Sequence, residues 1–417
     1  MLFSALFGAN RFPGWHMVMV AFFVDFIAVG FFFYSYGVFF KAIAAEFGDS
    51  RLGVALGLTA TSAVGALVAP AVGRALDRYP LKRIIGIGAT SMALGFLLLS
   101  QVQNQWQFYL VLGLFIGFGA SSMGQLATSK LVTNWFDHRR GTALGIAATG
   151  VSLSGVIMPA VSAELINTFG WREGFLIYGL FTFFVVVPLV LKTVISRPED
   201  IGLKPDGALQ LPQSEDTDVP PPPRVRMRDV LRDKNFWVIA VGFALAFCCM
   251  SATLTHMVPR VTDLGFSLTT GSLIMSLCAG LGVFGKLIFG WLGDHIRARN
   301  AMWMVLLAQF AGQLVMYLDD SLWAFGIGAA LFGFGVGGVV PLQATFVAKT
   351  FGRERFGAVL GAIRPAQFPI QILGVPFAGW SFDRTGSYDL AFEIFLVIYF
   401  FAAVAFLFYR APKRVPG

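Results

Sequence analysis

The chain has 417 residues, 56% of them hydrophobic and only 13% charged, with a mean hydropathy of +0.72 and a formal net charge of +8. A water-soluble domain carries about a quarter charged residues, so this composition excludes one. The basic excess is then a matter of membrane topology rather than of nucleic-acid binding.

In chain order the apolar runs resolve into twelve predicted helical spans, at about 15–40, 52–73, 83–101, 106–135, 142–168, 173–193, 235–259, 268–291, 300–318, 322–349, 357–381 and 388–409. They are long enough to cross a bilayer. Lipid offers backbone groups no partners, so spanning segments are helices or a closed barrel, and the short alternating strands of a barrel are not seen. The first run, "GWHMVMVAFFVDFIAVGFFFYSYGVFF", is too long for a signal-peptide core and is expected to be retained. The three cysteines, Cys248, Cys249 and Cys278, fall in apolar runs and form no disulfide framework or metal spacing. Between the sixth and seventh spans lies "SRPEDIGLKPDGALQLPQSEDTDVPPPPRVRMRDVLRDK", whose proline run and mixed charges predict a flexible linker. The expected fold is an all-α membrane protein: an N-terminal six-helix bundle over 1–195, a linker over 196–233 and a C-terminal six-helix bundle over 234–417.

With the N-terminus placed inside, 24 of the 31 Lys and Arg residues fall in inner segments or at the inner ends of spans, five in outer segments and two deep inside spans. The positive-inside rule therefore predicts that both termini are cytoplasmic, in a plasma (bacterial inner) membrane.

The chain repeats itself. "GRALDRYPLKR" (Gly73–Arg83) returns as "GWLGDHIRARN" (Gly290–Asn300), "WQFYLVLGLFIGFG" as "WAFGIGAALFGFG", and "RRGTALG" as "RFGAVLG". Three correspondences in one order predict parallel six-span repeats with a site at the midplane between them. On these features the chain resembles major facilitator superfamily transporters over nearly its whole length. The first copy of their loop motif reads Gly73, Asp77, Arg78, Lys82, Arg83, with Pro80 and Leu81 where Gly and Arg are usual. The second reads Gly290, Asp294 and Arg299, with His295 in the first basic place. Glycine allows close helix approach, and an Asp suits a neighbouring helix N-terminus. The resemblance implies that the motif latches the outward-facing state.

Two cations lie inside spans. Arg364 is in the eleventh, about 10 Å from its inner end at ~1.5 Å per residue, and Lys286 is in the eighth at a similar depth. No carboxylate of the C-terminal half shares that depth, so the two are candidates to bind an anion: Arg grips a carboxylate bidentately and Lys adds a point charge. The stretches "GW" at Gly14–Trp15, "YGVFFKAIAAEFGDSR", "WFDHRRGTALGIAATG" and "THMVPRVTDLGFS" resemble the monocarboxylate-transporter and oxalate:formate antiporter branch. That resemblance implies carboxylate binding by basic residues in spans 8 and 11; span 8 of those relatives commonly carries Arg, where this chain has Lys286.

Asp25, near the middle of the first span, is a candidate to carry a coupling proton, because burial disfavours a lone charged carboxyl. It is equally placed to pair with Lys286 or Arg364, or to make a structural hydrogen bond. His256, near the outer end of span 7, is a second coupling candidate. Tyr34, Tyr36, Gln125, Gln343 and Gln367 are candidates to complete the pocket. The Arg that many drug exporters carry in span 4 is replaced by Gly113, and the antiporter motif is only loosely matched at Gly150, Gly155 and Pro159. No phosphate loop or nucleophile elbow occurs, so neither an enzyme nor a cofactor is expected. The expected function is secondary transport of a small organic anion, a monocarboxylate or short dicarboxylate, by proton coupling or exchange, in a monomer. Export of amphipathic drug-like compounds and ligand sensing without flux are the alternatives.

Overall fold

The computed structural model describes residues 12–36, 38–39, 43, 46, 51–207 and 227–410. Twelve helices within it are long and apolar enough to cross a membrane. Spans 1 to 6 are Gly14–Tyr34, Gly57–Arg78, Leu81–Leu99, Gln105–Trp135, Arg140–Phe169 and Trp171–Thr193. Spans 7 to 12 are Lys234–Asp263, Thr270–His295, Ala298–Leu318, Leu322–Phe351, Arg353–Thr385 and Asp389–Phe408. The twelve predicted runs are thus all present, with ends displaced by a few residues. An even number of spans puts the start of span 1, the end of span 12 and the described ends of the linker on one face, the linker face.

Several spans depart from regular helix where the sequence permits it. A π turn occupies Gly30–Tyr34 in span 1, and another occupies Leu112–Gly117 in span 4. Span 4 also breaks at Gly124 (φ −78°, ψ −153°), so that a separate half-helix, Gln125–Trp135, begins in mid-membrane. Span 11 runs unbroken through Pro365 and Pro369 and turns at Ile372 and Leu373, just beyond them. A proline removes one backbone hydrogen bond and weakens the turn around it; here the break follows the second proline.

Spans 2 and 11 pack together, as do spans 5 and 8, and these two crossings join the halves. Backbones meet there. A side chain at Gly73 would strike the carbonyl of Gly357, and one at Gly361 the carbonyl of Ala69; one at Gly290 would strike the carbonyl of Gly141, and one at Gly145 that of Lys286. In each crossing the "GRALD" or "GWLGD" segment of one half meets the "RFGAVLG" or "RRGTALG" segment of the other.

The linker is laid down before it leaves the described residues. Ser196 accepts from the Leu81 amide (2.8 Å) and from Asn134 Nδ2 (2.9 Å). The Trp135 indole donates to the Ile195 carbonyl (3.0 Å). At Asp206 the backbone turns left-handed (φ 61°), and its carboxylate accepts from the amides of Asp137 (3.0 Å) and His138 (2.9 Å). Residues 208–226, with the proline run, lie outside the described residues.

Candidate functional site

Two sets of contacts join the halves at the linker face. Asp77, at the end of span 2, accepts from the amides of Gly357 (3.0 Å) and Ala358 (2.6 Å), the first turn of span 11. Asp294, at the end of span 8, accepts from the amides of Gly141 (2.6 Å) and Thr142 (2.8 Å), the first turn of span 5, and from the Thr142 hydroxyl (2.8 Å). A helix leaves its first amides unpartnered and carries partial positive charge there, so each carboxylate supplies what the other half lacks. Gly73 and Gly290 make the approach possible. Arg78 is exposed, with its guanidinium 5.8 Å from the Tyr79 ring.

Lys130 and Lys349 add to these contacts, though in the sequence both are only part of the inner basic excess. Lys130 is almost fully buried and pairs with Asp77 at 2.8 Å; it also donates to the Arg353 carbonyl of the other half. Lys349 donates to the Gly293 carbonyl beside Asp294 (2.6 Å). A lysine near the end of span 4 and another near the end of span 10 was the available signal.

In mid-membrane three charges converge on the junction between the halves. Asp25 is 2% exposed, and both of its carboxylate oxygens lie 3.0 Å from the Thr128 hydroxyl. Its charge reaches both Lys286 and Arg364, yet no ion pair closes among these three. Lys286 instead donates to the Ser152 hydroxyl of span 5, across the junction. Arg364 is half-buried and makes no hydrogen bond or ion pair among the described residues. The predicted carboxylate and the two predicted cations are therefore neighbours, each held apart from a counter-charge.

The remaining candidates divide. Gln125 lines a cavity of about 10 Å³ together with Asp25, Thr128, Ser129 and, from the opposite half, Val340 and Pro341. Gln343, two residues beyond Pro341, is buried with its Nε2 unpartnered. Tyr34 packs against Gly155 of span 5 and has Cys278 of span 8 within electrostatic reach, so it stands at the junction. Tyr36 is turned into the N-terminal bundle, its ring edge-on to Phe32 and its hydroxyl against Gly57; the π turn before it adds a residue to the helical repeat. Gln367 donates to the Ala240 carbonyl of span 7 (3.4 Å), within the C-terminal bundle. His256 is held there too. Its ring nitrogens lie 3.1 Å from the Val375 carbonyl and 3.3 Å from the Tyr388 hydroxyl, which one neutral tautomer satisfies by donating to the first and accepting from the second.

Residues 18–370 match the model of the Major Facilitator Superfamily. The chain is 26% identical over 384 residues to monocarboxylate transporter 13 of Bos taurus, covering 91% of this chain and 85% of that protein. It is 24% identical over 407 residues to the uncharacterized MFS-type transporter YcxA of Bacillus subtilis (strain 168), covering 93% of each. Among solved structures it is similar in fold to the human organic anion transporter MFSD10 (TETRAN), with a TM-score of 0.69 and 16% identity over 94% of this chain and 99% of that one. Since the family model spans most of the chain and the two halves are joined as repeats, the protein belongs to the Major Facilitator Superfamily and is a transporter, not an enzyme.

Proposed function

We propose that the protein carries small organic anions, monocarboxylates or short dicarboxylates, by alternating access, in step with a proton or in exchange for a second anion. One observation carries this reading: Arg364 lies within a span and has no counter-charge in contact. A cation in hydrocarbon costs at least about 2.5–3.5 kcal/mol, so an unpaired one is retained for a partner that arrives. Arg364 clamps the substrate carboxylate and Lys286, released from the neutral Ser152 hydroxyl, adds the second contact. Asp25 offsets the two cations while the site is empty. When substrate brings its own negative charge, Asp25 takes a proton or the site exchanges one anion for another. Relatives named monocarboxylate transporters support the substrate class, and the Lys and Arg distribution supports cytoplasmic termini.

The test is uptake of labelled lactate and of labelled malonate by proteoliposomes, with and without a pH gradient. Saturable uptake of either is expected, and uptake of neither overturns the proposal. Arg364→Ala is expected to lower uptake at least tenfold; normal uptake by that variant sinks the clamp.

A further inference from the structure

Thr128, in the half-helix of span 4, is neither a charged group nor a proposed substrate contact, yet it faces Asp25. It is 1% exposed, and its hydroxyl stands 3.0 Å from each oxygen of Asp25 and 3.4 Å from the Gly124 carbonyl. A hydroxyl has one proton to donate and lone pairs with which to accept. Facing a charged Asp25, Thr128 donates to the carboxylate. Facing a protonated Asp25, it accepts a hydrogen bond from the carboxyl O–H and turns its own proton toward the Gly124 carbonyl. The helix break sets this choice up, because Thr128 lies in the first turn of the half-helix that starts after Gly124. The cavity of about 10 Å³ adjoins both residues and is about the size one water occupies, so a proton has a place from which to reach or leave Asp25. The other charges acting on Asp25 are Lys286 from span 8 and Arg364 from span 11. Spans 4 and 5, which pack on span 1, present Gln125, Thr128, Ser129 and apolar residues around the cavity.

We infer that Thr128 is a positioning residue for proton coupling, a hydroxyl that serves Asp25 in both of its protonation states. This rests on the proposal that Asp25 handles a coupling proton. The experiment is lactate uptake by proteoliposomes from mildly acid to mildly basic pH, in wild type, Asp25→Asn, Thr128→Val, Thr128→Ala and Thr128→Ser. Wild type is expected to depend on pH and Asp25→Asn to be flat. Thr128→Val removes a charge-assisted bond to the carboxylate and a weaker one to the carboxylic acid, so the charged form loses more and the profile moves toward higher pH, by up to about one unit, a tenfold change in proton affinity. Thr128→Ser restores the wild-type profile, and Thr128→Ala covers the case in which valine does not fit. A wild-type profile in both Thr128→Val and Thr128→Ala, with Asp25→Asn flat, overturns the role of Thr128 and leaves Asp25 intact. A wild type indifferent to pH, or an Asp25→Asn variant that keeps the wild-type profile, overturns the coupling role of Asp25 and the inference with it.

Discussion

The three central charges show how much one side chain can decide. Arg364 was legible in the sequence because a full charge inside an apolar run has few reasons to be there. Its depth matched that of Lys286 by simple counting along helices. The guanidinium fork matters as well as its charge, so Arg364→Lys is expected to keep measurable uptake with a KM raised about tenfold, as uptake kinetics would show. Asp77 rests on a similar argument. Each of its oxygens accepts one amide of span 11 and one also meets the buried Lys130 ammonium. Asn offers one acceptor where Asp offers two, and no charge. Asp77→Asn leaves Lys130 buried without its counter-charge, a loss on the order of 3 kcal/mol, and thermal unfolding in detergent is expected to show it. The partners of Thr128 and Ser152 were not legible, since a hydroxyl in an apolar span carries no mark of what it faces.

At the scale of elements, the inter-bundle crossings are made by backbone. A methyl group added at Gly145 would press on the Lys286 carbonyl, and one at Gly361 on that of Ala69. Neither neighbour is a flexible tip that can swing away. Gly145→Ala and Gly361→Ala are therefore expected to leave each bundle folded but to keep the linker face from closing. Transport falls, and thiol labelling of a cysteine placed at Ser129, beside the cavity, rises when reagent is added from the linker face. A further tie lies at the opposite face, between Glu46, which follows span 1, and the first residues of span 6. Glu46 accepts from the Trp171 indole (2.7 Å) and from Arg172 (2.6 Å), and Arg172 beside it holds its carboxyl below the usual range. A carboxyl depressed in the folded state stabilises above its unfolded value, about 4.3, and loses that contribution as pH falls through the folded value. The pair is part-exposed, so the effect is a few tenths of a kcal/mol after screening. The Tm difference between wild type and Glu46→Gln is expected to be small at neutral pH and to vanish in acid.

For the whole molecule, the linker is the part whose role changed most. Composition predicted a flexible connector, yet its first residues reach across the halves. Glu199 pairs with Arg353 (2.5 Å), and Arg197 lies 3.5 Å from Glu354. The linker thus offers a cation and an anion to an anion and a cation in the opening turn of span 11. Both pairs lie beside the Asp77 latch, since Arg197 also reaches the Asp77 carbonyl (3.5 Å). Glu199→Arg is expected to favour opening of the linker face, and the double variant Glu199→Arg with Arg353→Glu to restore closure, read by the same thiol labelling. Restoration fails if the pair is only a bystander on the surface.

The sequence alone determined the span count, the two-fold repeat, the latch motif and the intramembrane charges. All of these follow from hydropathy and from residues that are costly in lipid wherever they sit. Which residues complete each latch, and whether Asp25 pairs with a cation or with a hydroxyl, were decided by the tertiary structure. The reason is that those partners lie on different helices, often in opposite halves, and a helix's rotation about its axis is set by its neighbours. The π turn before Tyr36 and the break at Gly124 alter that rotation within single spans. Side-chain direction beyond such points cannot be counted forward from the helical repeat: residues two apart never share a helix face, and only the tertiary structure decides that Tyr34 rather than Tyr36 stands at the junction.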